Sequence, residues 1–114
     1  MKMNNRVTVL GGGNTAFAIA AKLGLDGFDV LLWEHPAFAL TLEPIRETLT
    51  IHLEGTTVTG AARLAGVTTD AGKAAAWSER LVASVPSYAH KSFAEAFAQV
   101  LKTGQTLALL PGNL

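Results

Sequence analysis

The sequence has no cysteine, which excludes disulfide bridges and thiolate metal sites and leaves the redox compartment open. Charge is scarce: Asp, Glu, Lys and Arg make up 16% of the residues, and nine basic side chains cancel nine acidic ones. A chain without an excess of either sign lacks the electrostatic footprint that nucleic acid or an anionic membrane demands, so neither is expected as a partner. Long apolar runs are missing as well, and nothing approaches the roughly 20 residues that span a bilayer. The apolar stretch behind Lys2 and Arg6 is broken at Gly11, which argues against a signal peptide. No internal repeat, low-complexity tract or charge block divides the chain. Apolar residues are plentiful instead, at 49%. With 114 residues, residues 1–114 are expected to form one soluble, cytoplasmic domain burying roughly two-thirds of its unfolded surface. The apolar excess points to self-association or to contact with another domain.

The most informative stretch is Arg6-Val7-Thr8-Val9-Leu10-Gly11-Gly12-Gly13-Asn14-Thr15-Ala16. A short β-branched apolar run breaks into three glycines and restarts as an alanine-rich helical pattern, which reads as a buried strand, a tight turn and a helix start. Unpaired N–H groups and the positive dipole end make a helix start an anion site. Gly11, Gly13 and Ala16 fit the dinucleotide fingerprint G-x-G-x-x-G/A. The first residue permits the sharp turn, the second permits close approach of the pyrophosphate, and the small third lets helix and strand pack. Gly12 adds a further position without a Cβ, and Asn14 or Thr15 is expected to cap the helix. Gly27 suits the left-handed position after the helix, and Gly24 suits a close approach in its last turn.

The next apolar run, Asp29 to Glu34, ends in an acid about twenty residues beyond the glycines. There a dinucleotide site needs a carboxylate to accept hydrogen bonds from the adenosine ribose hydroxyls. A 2′-phosphate would meet a like charge at Glu34, so NAD is expected in preference to NADP.

Farther along, His35-Pro36 is a break, and Phe38, Leu42, Ile45 and Leu49 at helical spacing predict a short helix over 37–47. Residues 49–53 and Thr57-Val58-Thr59, separated by Glu54-Gly55-Thr56, alternate like a β-ribbon near residues 49–60, with His52 exposed on it. Val67 and Thr68 predict an edge strand, and Asp70 to Ser78 a helix capped by Thr69 or Asp70. Leu81 to Val85 reads as a strand halted by Pro86. Ser87 or Ser92 starts the next helix, Ser92 forming a capping box with Glu95, and Gly104 ends it. Phe93, Phe97, Val100 and Leu101 form its apolar face, and Thr106 to Leu110 supply a last strand before Pro111-Gly112-Asn113. Alternating strands and helices predict an α/β, Rossmann-like, doubly wound parallel sheet of order 3-2-1-4-5, with ligand over the carboxyl ends of the strands.

Four segments in this order and spacing carry a resemblance: Val9 to Asn14, the Glu54-Gly55 ribbon leading to Val67-Thr68-Thr69-Asp70, Ser84 to His90, and Leu110 to Asn113. Together they resemble the N-terminal coenzyme domain of the octopine/nopaline (opine) dehydrogenases, which join an α-keto acid to an amino acid at the expense of NAD(P)H. The resemblance implies that Gly11, Gly12, Gly13, Asn14, Thr15 and Ala16 surround the pyrophosphate of NAD, with Glu34 on the adenosine ribose and Val85 and Pro86 bordering the nicotinamide ribose. Ser78-Glu79-Arg80 departs from the family pattern and is expected to alter a surface turn only. The family's helical second domain, which holds the substrate pocket and catalytic histidine, is expected to lie outside this chain. No catalytic or metal residue is therefore assigned, and His90 is read as a capping or surface residue. The alternatives are a coenzyme domain like that of ketopantoate reductase or glycerol-3-phosphate dehydrogenase, and a non-catalytic dinucleotide sensor.

Overall fold

A computed structural model describes residues 5–11, 13–53, 60–84 and 90–110. The strand β1 (Arg6–Leu10) is almost wholly buried, as its Val-Thr-Val-Leu run requires, and leads into helix α1 (Gly13–Leu25) and strand β2 (Asp29–Trp33). Then come a 3₁₀ segment (Pro36–Leu42), the short helix α2 (Glu43–Arg46), strands β3 (Thr50–Leu53), β4 (Gly60–Arg63) and β5 (Gly66–Thr68), and helix α3 (Ala71–Trp77). Strand β6 (Arg80–Ser84), helix α4 (His90–Phe97) and strand β7 (Thr106–Leu110) complete the described elements.

Strands β5-β2-β1-β6-β7 form one parallel sheet, which counts as 3-2-1-4-5 among the parallel strands, the order read from the sequence. Side chains alternate between its faces. Val7, Val9, Val30 and Leu32 pack with Ala16, Ala20 and Ala21 of α1. Leu10, Trp33, Leu81 and Ala83 pack on the other face against Ala74 and Ala75 of α3 and Phe93 and Phe97 of α4. Thr8, also buried, donates its hydroxyl to the Ala74 carbonyl at 2.9 Å, satisfying a polar group inside the core.

The ribbon lies outside this sheet, against α1. Its second strand is Gly60–Arg63, farther along than Thr57-Val58-Thr59, which lie outside the described residues together with Glu54, Gly55 and Thr56. The pairing that forms sets Ile51 opposite Ala62, both buried, where a Cβ on Gly24 of α1 would come within 3.2 Å of the Ala62 Cβ. Gly24 and Ala62, both small, thus let the helix approach β4 closely. His52 is exposed, as expected.

Several boundaries differ from the sequence reading. The helix expected over 37–47 is a 3₁₀ segment followed by one α turn, because Pro36 and Pro44 interrupt amide donation and Phe38 leaves helical geometry (φ −119°, ψ 28°). Phe38 consequently turns outward and is 47% exposed, while Leu42 and Ile45 stay buried. Helix α1 begins at Gly13, so Asn14 and Thr15 lie inside its first turn instead of capping it. Ser92 lies inside α4 and is not its cap; Ser87 is outside the described residues. That helix ends at Phe97, and Gly104, at φ +96°, serves the turn into β7. Gly27, at φ +100°, and the Asp70 cap, whose carboxylate accepts from the Lys73 amide at 3.2 Å, are as expected.

The amino edge of the sheet is tied shut. Ser78 donates to the Arg6 carbonyl at 2.6 Å and accepts from the Arg80 amide at 3.0 Å, and Gln105 donates to the carbonyls of Ala75 and Ser78. The Trp77 indole donates to the Asp29 carbonyl while the Arg6 guanidinium sits over its ring. Of Ser78-Glu79-Arg80, Glu79 and Arg80 lie on the surface as expected, whereas Ser78 is buried and forms an internal tie between β1 and β6. No helix among the described residues is long and apolar enough to cross a membrane.

Candidate coenzyme site

At the opposite, carboxyl edge, the register decides what meets. Leu10 pairs with Trp33 on one side and with Ala83 on the other, so the residues after them, Gly11, Glu34 and Ser84, reach one level at the centre of the sheet. Gly11 adopts φ +119°, a conformation an L side chain resists, and its amide donates to the Trp33 carbonyl at 2.7 Å. The first glycine is therefore a turn residue whose N–H is already used. Amides without a helical acceptor begin farther on: α1 opens with Gly13, Asn14 and Thr15, whose N–H groups precede the first i→i−4 bond of the helix. Ala16 is fully buried at the foot of that turn, where a larger side chain would push the helix off the sheet. Gly12 lies outside the described residues.

Glu34 extends β2, its amide donating to the Thr68 carbonyl at 3.1 Å, and only 7% of its surface is exposed. Its Oε1 accepts from the His35 amide at 2.7 Å and its Oε2 from the Thr41 hydroxyl at 3.3 Å. Burial raises the Glu34 pKa above the ordinary carboxylate value, against the opposing pull of the His35 amide, the Thr41 hydroxyl and the His35 imidazole. A carboxylate offers about four acceptor positions, so two remain for a ligand that brings paired hydroxyls. The site thus combines a helix start, whose first amides have no helical acceptor and suit phosphate oxygens, with a held carboxylate suited to a diol.

Thr41 was not singled out in the sequence, and His35 only as part of the His35-Pro36 break, although both shape the site. His35 accepts the Ala37 amide on Nδ1 at 3.0 Å, capping the 3₁₀ segment that carries Thr41 back to Glu34. The signal available was the His-Pro pair directly after the acid. Trp33 is buried edge-on against Phe97, with its indole N–H unpartnered among the described residues. Val85 and Pro86 fall outside the described residues, as do Pro111, Gly112 and Asn113, and His90 is placed only as the first residue of α4.

Comparison with known proteins agrees with this geometry. The model of the family described as NAD-dependent glycerol-3-phosphate dehydrogenase N-terminus matches residues 6–111. The chain belongs to that family. It is a Rossmann-type, NAD(P)-binding coenzyme domain of dehydrogenases. An opine dehydrogenase of Arthrobacter sp. (strain 1C) is 35% identical over 104 residues, covering 91% of this chain and 28% of the relative. A glycerol-3-phosphate dehydrogenase [NAD(P)+] of Chlorobium luteolum is 34% identical over 102 residues, 89% of this chain and 29% of the relative. The coenzyme domain thus spans under a third of the length of these relatives. Among solved structures, an octopine dehydrogenase with NADH and L-arginine superposes with a TM-score of 0.72 at 21% identity, over 93% of this chain and 28% of that one.

Proposed function

We propose that this chain is the coenzyme domain of an NAD-preferring dehydrogenase of the opine type, acting in the reductive condensation of an α-keto acid with an amino acid. The observation that supports the coenzyme half is the pairing of Leu10 with Trp33, which brings Gly11, the entry to α1, level with Glu34 at the end of β2. In this reading Gly11, Gly12, Gly13, Asn14, Thr15 and Ala16 enclose the pyrophosphate, and Glu34 accepts from both hydroxyls of the adenosine ribose. Val85 and Pro86 border the nicotinamide ribose, and the substrate pocket and catalytic groups come from a second, helical domain. The opine assignment is supported by the four-segment resemblance and by the Arthrobacter relative. The matched family model favours a second reading, a glycerol-3-phosphate dehydrogenase. Leu109, 68% exposed on the edge strand β7, supports self-association of the chain alone.

Calorimetric titration of the wild-type chain and of Glu34→Ser with NADH and NADPH tests the coenzyme reading. Wild type is expected to prefer NADH, and the variant to lose most of that preference. Equal binding of both coenzymes by wild type, or an unaltered ratio in the variant, overturns it. Assays of the protein joined to a helical domain like that of its relatives separate the two substrate readings: NADH oxidation with keto acid and amino acid supports the first, glycerol 3-phosphate oxidation the second.

A further inference from the structure

The Glu34 carboxylate is held from both ends by its own chain, on Oε1 by the His35 amide and on Oε2 by the Thr41 hydroxyl. These bonds differ in kind. His35 follows Glu34 directly, so its amide is supplied by the backbone whatever side chains stand nearby. Thr41 lies seven residues on and reaches Glu34 only because the 3₁₀ segment, begun at Pro36 and capped by His35, turns back across the strand end. Its anchor is Leu42, fully buried next to it.

We infer that Thr41 is a positioning residue for coenzyme choice, holding the Glu34 carboxylate so that one acceptor position on each oxygen faces the ribose diol. The inference rests on the proposed role of Glu34. With both oxygens held, the carboxylate cannot swing aside to admit a 2′-phosphate, and its charge stays where that phosphate would lie. With Oε2 released, the carboxylate turns about its last torsion, which is a broad, soft rotation. Diol recognition then weakens and phosphate rejection relaxes together.

The Thr41 hydroxyl has a second acceptor, the Phe38 carbonyl at 2.9 Å, and only one proton to give. An ionised carboxylate draws that proton more strongly than a neutral carbonyl does. Losing it costs Phe38 little, because the segment is exposed and water can replace it. When Glu34 is protonated the direction reverses: the carboxyl donates to Oγ1, and the Thr41 proton goes to Phe38. Serine can play the same part; valine, of nearly the same shape, cannot.

The test uses the 114-residue chain as Thr41→Val, Thr41→Ser and Glu34→Ser, titrated with NADH and with NADPH, with thermal melts as a check on folding. Thr41→Val is expected to lower NADH affinity by roughly two- to tenfold, the worth of one hydrogen bond, without lowering NADPH affinity. Thr41→Ser is expected to keep the wild-type ratio. An equal loss for both coenzymes in Thr41→Val, or an unchanged ratio there while Glu34→Ser collapses it, overturns the role of Thr41 and leaves that of Glu34 standing. An unchanged ratio in Glu34→Ser removes the reading on which the inference rests, and the inference with it.

Discussion

The amide of Gly11 donates to the carbonyl of Trp33 at 2.7 Å, so the first fingerprint glycine continues the ladder between β1 and β2 and does not offer its N–H to a ligand. Its contribution to the site is conformational. At φ +119° a side chain is strained by about 1–3 kcal/mol, so Gly11→Ala should lower the denaturant midpoint and displace the start of α1. Chemical unfolding that shows an unchanged midpoint would contradict this account of the turn.

Gly13 acts differently, because it is the first residue of α1. By helix propensity a valine is no worse in a helix than the glycine it replaces, yet its branched side chain occupies the space assigned to the pyrophosphate. Gly13→Val is therefore expected to stay folded and to weaken NADH binding by more than roughly tenfold, measured by calorimetry. Unchanged affinity in a folded variant would remove the phosphate from this turn.

Glu34 should couple both stability and binding to pH. Its pKa is raised in the folded chain by burial, so its contribution to stability is fully present below the unfolded carboxylate value near 4.5 and is lost as pH rises through the folded value. Glu34→Gln keeps the shape, can still accept from the His35 amide, and carries no charge. It should raise the melting temperature of the free chain by a few degrees at neutral pH, with the advantage vanishing near pH 4.5. NADH affinity has the opposite dependence. The diol donates to the ionised form, so wild-type affinity should fall as pH drops through the raised pKa, and Glu34→Gln should flatten that profile. A melting difference that does not vary with pH would rule out this coupling.

Ser78 separates stability from binding, since it ties Arg6 to Arg80 at the edge away from the coenzyme. Ser78→Ala removes two hydrogen bonds from a buried site, and a loss of about 1–3 kcal/mol is expected with NADH affinity retained. A drop in affinity matching the drop in stability would show that the two edges are coupled.

The parallel sheet was legible because β1, β2 and β6 are short apolar runs that only a sheet covered on both faces can use, and their crossovers have one favoured hand. The positions of Gly11 after β1 and Glu34 after β2 were legible for the same reason, being fixed to strand ends by spacing. What stayed hidden depends on contacts between distant residues. Gly60-Ala-Ala-Arg63 lacks the β-branched residues that mark a strand, and at Gly60 and Ala62 it packs closely against Leu25 and Gly24 of α1. Ser78 bonds across 72 positions to Arg6. Thr41 reaches Glu34 through a kink at Phe38 that helical periodicity smooths over.

The central claim is that this chain holds a dinucleotide through α1 and Glu34, and calorimetric titration of the purified wild-type protein with NADH tests it most directly. One NADH per chain, with weaker binding of NADPH, is the predicted result. Absence of NADH binding by a folded chain, or binding that survives unchanged in a protein carrying both Gly13→Val and Glu34→Ser, would contradict it.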